Sequence, residues 1–219
     1  MSAAPRSNPF DGPLGRRYDS YIKRPRWAGP VGRLLWGGDP GPMYELMGAI
    51  AGAPAGTTIL DAPCGGGLAF RELRPDQRVR YVAIDLSSGM LERARREADR
   101  RGLHQVELVQ GDLQRLPFDD ELADLTLSMN SLHCVPDPAG AVRELVRCTR
   151  RGAPLIGSML VLGAGRRQDL ALRHAERTGA AGPGGTTDDL RRWLVEAGLD
   201  DVRVDASGAI ATFESRRPG

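Results

Sequence analysis

Thr57-Thr58-Ile59-Leu60-Asp61-Ala62-Pro63-Cys64-Gly65-Gly66-Gly67 reads as a short apolar strand that ends in a carboxylate and runs into a glycine-rich turn. A short helix over about Leu68 to Leu73 follows, then a second strand, Val79 to Ile84, that stops at Asp85. An acid at a strand end 20 residues after Gly65 gives the layout of a nucleoside-binding crevice at the carboxyl edge of a doubly wound sheet. A dinucleotide site wants Gly-x-Gly-x-x-Gly, and Gly65-Gly66-Gly67-Leu68-Ala69-Phe70 puts Phe where the third glycine would let the helix pack closely. Asp61 argues the same way, since a carboxylate facing the loop repels pyrophosphate and suits a cation. There is no Gly-Lys-Ser/Thr run, so a phosphate-gripping loop is excluded.

Outward from this stretch, strands alternate with amphipathic helices, the sequence form of βαβ units around a parallel sheet. Ser88 to about Arg101 predicts a helix with Met90, Ala94 and Ala98 on its inner face and Gly102 as its C-terminal cap. Strands are expected at Val106 to Val109 and Ala123 to Met129, with the Gly111-Asp112-Leu113 turn between them. Asp137 caps a helix with Pro138 at its first position and Val142, Leu145, Val146 and Thr149 facing the sheet. Leu155 to Leu162 is the most continuously apolar piece and is expected to be an inner strand. A polar helix, about Arg166 to Thr178, and a Gly-Pro-Gly-Gly loop read as a connection over the rim of the site. A helix capped by Thr186 or Thr187 and stopped by Gly198 follows, with Leu190, Trp193, Leu194 and Ala197 as its stripe. Val202 to Asp205 and Ile210 to Phe213 close the chain as a hairpin. Ahead of all this, residues 1 to about 15 read as a loose tail, and residues 16 to 55 as short helical pieces broken by Pro and Gly.

The chain has 219 residues, 30 Lys and Arg against 28 Asp and Glu, and a formal net charge of +2. That balance lacks the basic footprint of a nucleic-acid binder, and 41% hydrophobic residues argue against disorder. Cys64, Cys134 and Cys148 are odd in number and lack Cys-x-x-Cys spacing, which signals neither a disulfide framework nor zinc. A reducing cytoplasm is the expected location. No membrane span and no metal are implied.

The motifs resemble those of the class I S-adenosylmethionine-dependent methyltransferases, and especially the small-molecule branch similar to quinone-biosynthesis enzymes (type 11). The likeness runs from about Thr57 to Leu162. Ile59 to Gly67 is similar to the family's first motif, strand then Asp/Glu-x-Gly-x-Gly-x-Gly, with Pro63 in the place of the first glycine. Leu122 to Val146, with Leu132-His133-Cys134-Val135-Pro136-Asp137 before its helix, resembles the family's fourth-strand segment. The resemblance implies an α/β, Rossmann-like, doubly wound sheet of seven strands, mostly parallel with one antiparallel, and an N-terminal helical arm. Residues 1–55 would be tail and arm, and residues 56–219 the S-adenosyl-L-methionine-binding part of the same domain. By that resemblance Asp61 reaches the methionine amino group through water or directly, and Ala62, Pro63, Gly65 and Gly67 bring the backbone close to the ligand. Asp85 holds both ribose hydroxyls, with Leu86 beside the adenine, and Met90 is a further cofactor-binding residue. Gly111, Asp112 and Leu113 read the adenine, Met129 and Asn130 line the methionine side, and Tyr21 of the arm closes over the cofactor. The implied reaction transfers a methyl group to an O, N or C nucleophile of a small organic acceptor, releasing S-adenosyl-L-homocysteine. A fold member that binds the cofactor without methylating, cyclase-like or regulatory, is the alternative; a nucleotide-dependent oxidoreductase is a weaker one.

Several residues carry two readings. His133 is a general base toward the acceptor, or a structural histidine bonding the loop after the fourth strand. Cys64 is a small thiol packed under the loop, or a redox group. Tyr18, Tyr21 and Trp27 close over the ligand or pack the arm on the sheet. Arg24 and Arg26 meet a carboxylate or form a solvated basic surface. Methylation of arsenic would need converging thiols, and three scattered cysteines support it poorly.

Overall fold

The computed structural model describes residues 9–219, apart from the side chains of residues 9 and 25–27. The strands are β1 (Thr58–Asp61), β2 (Arg80–Asp85), β3 (Val106–Gln110), β4 (Leu125–Ser128), β5 (Pro154–Leu160), β6 (Asp200–Ser207) and β7 (Ile210–Arg216). They form one sheet in the order β3-β2-β1-β4-β5-β7-β6. β1 pairs in parallel with β2 and β4, β2 with β3 and β4 with β5, whereas β7 is antiparallel to both β5 and β6. The expected mixed, doubly wound sheet is therefore present. The strand order reverses between β1 and β4, and that switch point is where such sheets bind ligands.

The helices are α1 (Pro13–Ile22), α2 (Pro25–Trp36), α3 (Gly41–Met47), α4 (Ser88–Arg101), α5 (Pro138–Cys148), α6 (Arg166–Arg177) and α7 (Thr187–Glu196). Successive strand residues point to opposite faces, so each face of the sheet receives its own core. Leu60, Val82, Leu155 and Phe213 pack under α5 and α7 through Val142, Leu145, Leu190 and Leu194. Ile59, Tyr81, Leu127 and Ile156 pack under α3 and α4 through Met43, Met47, Ala94 and Ala98. Each fully buried Leu, Ile or Met contributes about 1.5–3 kcal/mol relative to exposure, so these two stripes anchor the layers.

Local signals set the helix ends. The Ser87 hydroxyl accepts from Met90 N and starts α4, and Gly102 closes it in the left-handed region at φ 66°. Asp137 caps α5 by accepting from Gly140 N. Thr186 and Asp189 form a reciprocal capping box on α7.

Four expectations shift. The helix expected after the glycine turn is a single 3-10 turn, Ala69–Glu72, because the chain must drop at once to Leu73, which is buried under the sheet. β4 starts two residues later than expected, since Ala123 bridges Thr149 outside the strand. The closing hairpin is longer than expected: β6 extends at both ends, to Asp200 and Ser207, and β7 continues to Arg216, pairing along the whole of β5 from Leu160 to Pro154. Residues 9–15 are not a loose tail: Pro9–Asp11 form a 3-10 turn and α1 begins at Pro13. Residues 1–8 and the side chains of Arg26 and Trp27 lie outside the described residues.

Candidate active site

The carboxyl ends of β3, β2, β1 and β4 lie side by side, which brings the loop residues singled out in the sequence to one edge. β1 ends in Asp61, 1% exposed, whose Oδ2 accepts a 2.9 Å hydrogen bond from Tyr81 Oη. The loop that follows is held from both sides: Ala62 N donates to Leu127 O, and Cys64 N donates to Ile84 O. Ser128 Oγ donates to Ala62 O at 2.7 Å and lies 2.6 Å from Ser131 Oγ. The Ala62-Pro63 bond is cis, and Gly65 and Gly67 adopt φ of 54° and 82°. A β-carbon on Gly67 would collide with the Phe70 ring, so glycine is required there by both backbone and space.

β2 ends in Asp85. Its Oδ2 accepts from Gly65 N at 2.9 Å and its Oδ1 from Ser87 N at 2.8 Å, so one carboxylate ties the glycine loop to the start of α4. Burial pushes Asp61 up to about 7 and Asp85 up to about 6, against the pull of their hydrogen bonds; Asp85 adds to the rise of Asp61, and Asp11 of the arm to that of Asp85. Neither has an ion-pair partner among the described residues. Two desolvated carboxylates without a cation form a site that favours a cationic, hydroxyl-rich ligand and repels a pyrophosphate.

The other expected residues border the same edge. Leu86 is 54% exposed at the rim, and Met90 is buried in the first turn of α4. Gly111 N donates to Asp85 O, Asp112 Oδ1 accepts from Gln114 N, and Leu113 is buried. Met129 is buried beside Ser158, whose hydroxyl lies 3.9 Å from its sulfur. Asn130 takes a positive φ of 56°, receives support from Ser158 Oγ at its backbone N–H, and donates from Nδ2 to Tyr18 Oη at 2.9 Å.

His133 sits on a 3-10 turn after β4, 7% exposed, and its Nδ1 accepts from Leu160 N at 3.2 Å. Desolvation lowers it to about 4, so the ring is neutral at pH 7 and its acceptor nitrogen is already engaged. Cys64 is buried and its thiol is pushed up by burial.

The arm lies over this edge, through contacts that the sequence did not disclose. Asp11 Oδ1 accepts from Ser87 Oγ at 2.6 Å and from Gly89 N at 3.1 Å, while Arg93 Nη1 donates to Phe10 O. Lys23, the chain's only lysine, donates to Gly66 O at 2.6 Å and pairs with Asp19 at 3.0 Å. Tyr21 is half-buried with its hydroxyl 3.4 Å from Ala28 O inside the arm, whereas Tyr18 is the arm tyrosine that bonds a loop residue of the sheet edge. The expected rim helix α6 buries Leu172 against Leu160 and Ile210, and Gly182 N beyond it donates to His133 O. A hollow of about 520 Å³ lies at the opposite edge, lined by Gly52 to Thr57, Asp124 and Arg150. Its charged pair, Arg150 and Asp124, is mutually satisfied, so the hollow offers little chemistry. Among the described residues no cluster of three or more potential metal ligands occurs, and no helix is long and apolar enough to cross a membrane.

Residues 60–157 match the family described as a methyltransferase domain. An uncharacterized chloroplastic methyltransferase of Arabidopsis thaliana is 33% identical over 135 residues, 58% of this chain and 38% of that protein. A demethylmenaquinone methyltransferase of Listeria welshimeri is 33% identical over 104 residues, 46% of this chain and 43% of that protein. The matched length is thus under half of these curated relatives. Among solved structures, the phosphoethanolamine N-methyltransferase 2 of Haemonchus contortus, in complex with S-adenosyl-L-methionine, superimposes with a TM-score of 0.71 at 12% identity, over 82% of this chain and 53% of that one. The cyclase SpnF superimposes with a TM-score of 0.64 at 19% identity, over 81% of each chain. The matches thus liken residues 60–157 to a methyltransferase domain, and the seven-stranded sheet has the fold of these solved structures.

Proposed function

We propose that the protein binds S-adenosyl-L-methionine at the carboxyl edge of β1 and β2 and transfers its methyl group to a nucleophilic O, N or C atom of a small organic acceptor. The observation that carries this reading is the pair of buried, cation-free carboxylates, Asp61 and Asp85, on either side of the Gly65–Gly67 loop. The donor set fits the cofactor: Asp61 suits the ammonium, Asp85 has lone pairs left for the ribose diol, and the glycine backbone leaves room for the methionine part. Pro63, Ala62, Gly111, Asp112, Leu113, Leu86 and Met90 would frame the nucleoside, and Met129, Asn130 and Tyr21 the methionine side. Bound there, the sulfonium supplies an electrophilic methyl group already attached to a good leaving group. The chain's own task is then to hold the two reactants in line and exclude water, which supplies much of the rate without an acid–base pair. His133 fits this division as a neutral group positioning the loop after β4 against β5, since its Nδ1 is taken by Leu160 N.

The small-molecule character of the acceptor follows the relatives' names, which include demethylmenaquinone and malonyl-acyl-carrier-protein methyltransferases. One relative is named an arsenite methyltransferase, but Cys64, Cys134 and Cys148 are not gathered into a thiol site. Calorimetric titration with S-adenosyl-L-methionine and S-adenosyl-L-homocysteine, with NADH as control, tests the cofactor. Micromolar binding of the two sulfur nucleosides alone supports the reading; NADH binding instead overturns it. A bound cofactor that is never demethylated against a panel of phenols, amines and enolisable acceptors would favour the cyclase-like alternative.

A further inference from the structure

The parallel register sets Tyr81 beside Ile59, so its side chain shares a face with Asp61, two residues farther along β1. Tyr81 is 0% and Asp61 1% exposed, and the 2.9 Å bond from Tyr81 Oη is the one hydrogen bond to the Asp61 carboxylate among the described residues. Oδ1 of Asp61 has no protein partner there. The Tyr81 ring packs edge-on against Phe70 at 5.4 Å, a contact that phenylalanine would make equally well. The hydroxyl is therefore the part of Tyr81 that packing does not explain, and burying it is unfavourable unless it is bonded.

We infer that Tyr81 is a positioning residue for the ligand: its hydroxyl fixes Asp61 in one orientation and favours the ionised carboxylate, leaving Oδ1 to receive the ligand's ammonium. This rests on the proposed S-adenosyl-L-methionine site. The surrounding groups make the hydroxyl matter. Asp85 at the end of β2 opposes ionisation of Asp61, Cys64 in the loop stays a neutral thiol, and Lys23 of α1 is held by Gly66 O and Asp19. Tyr81 is thus the group that pulls Asp61 back toward the charged form, against burial that raises it to about 7.

Tyr81→Phe tests this by calorimetry with S-adenosyl-L-homocysteine from pH 6 to 9, beside the wild type and Asp61→Asn. Removing a bond worth about one pKa unit should make the variant-to-wild-type Kd ratio about tenfold at pH 6, about fivefold at pH 7 and near one at pH 9; the ligand's own titration cancels in that ratio. Asp61→Asn should bind weakly at every pH in proportion to the ligand's titration alone. A ratio that is flat with pH, at one or at any other value, overturns the role of Tyr81 while leaving the site reading intact. A wild type that binds neither sulfur nucleoside overturns the site reading and this inference with it. If Tyr81→Phe does not fold, replacing all tyrosines by 3-fluorotyrosine, a stronger donor, should move the wild-type binding profile to lower pH; an unmoved profile overturns the inference equally.

Discussion

Replacing Asp85 by alanine separates the ligand role of this carboxylate from its role in the fold. On binding, each ribose hydroxyl given to an ionised carboxylate contributes about 1.5–3 kcal/mol net. Two such bonds give about 3–6 kcal/mol, so the lower bound is a loss of about 100-fold in Kd. Asp85 also accepts from Gly65 N and Ser87 N, and both donors lose their partner in the variant. Against that loss stands the relief of a desolvated charge: raising the carboxyl to about 6 corresponds to about 3 kcal/mol of destabilisation above that pH. The two folding contributions nearly offset at pH 8, whereas at pH 5, between the unfolded value of 3.8 and the folded value of about 6, only about half of that penalty has built up and the lost bonds outweigh it. The expected result is a variant that unfolds at lower urea at pH 5, melts close to the wild type at pH 8, and at pH 8 binds S-adenosyl-L-homocysteine at least 100-fold more weakly by calorimetry. A folded variant whose Kd at pH 8 stays within tenfold of the wild type would refute the ribose assignment.

Asp61→Asn should raise the stability of the unliganded protein while removing most ligand affinity. The folded carboxyl is raised to about 7 from 3.8, so the unfolded chain releases its proton first and stability falls as pH rises between about 4 and 7; urea unfolding should show the variant's advantage growing from pH 5 to pH 8, and a constant difference would contradict it. His133 has the opposite sign: lowered to about 4, it makes the fold lose up to about 3 kcal/mol as pH drops from 6.5 to 4. His133→Asn, which can keep an acceptor for Leu160 N, should flatten that acid limb and leave methyl transfer within tenfold; a collapse of turnover with intact cofactor binding would restore the general-base reading. Gly66→Ala places a methyl group against the Asp19 carboxylate, a displaceable side-chain end, and should loosen the arm without unfolding the sheet. Faster tryptic cleavage at Arg16, Arg17 or Lys23 with unchanged melting is expected, and unchanged cleavage would show that the arm does not depend on this contact.

Much of the fold was legible because its signals are local. Helix α4 runs from Ser88 to Arg101 and closes at Gly102 as read, and α5 and α7 follow Asp137-Pro138 and Thr186, since caps act within a turn of the residues they satisfy. The glycine loop with its two carboxylates was legible as motif and spacing. The arm was not: Asp11 meets Ser87 across 76 residues and Tyr18 meets Asn130 across 112, and no periodicity encodes a docking partner at that distance. The 3-10 turn after the loop was read as a helix because its composition permits either, and the tertiary requirement to bury Leu73 decides between them.

The sequence by itself determined the order of strands and helices, the caps, and which acids end β1 and β2, because hydrophobic period and turn chemistry act over a few residues. Only the tertiary structure decided what those acids experience. Parallel pairing of β1 with β2 carries Tyr81 to Asp61 across 20 residues, folding strips water from both carboxylates, and the arm brings Lys23 onto the glycine loop. Desolvation and long-range register are properties of the packed molecule, so the charge state of the site, and with it the affinity for a cationic ligand, is set there.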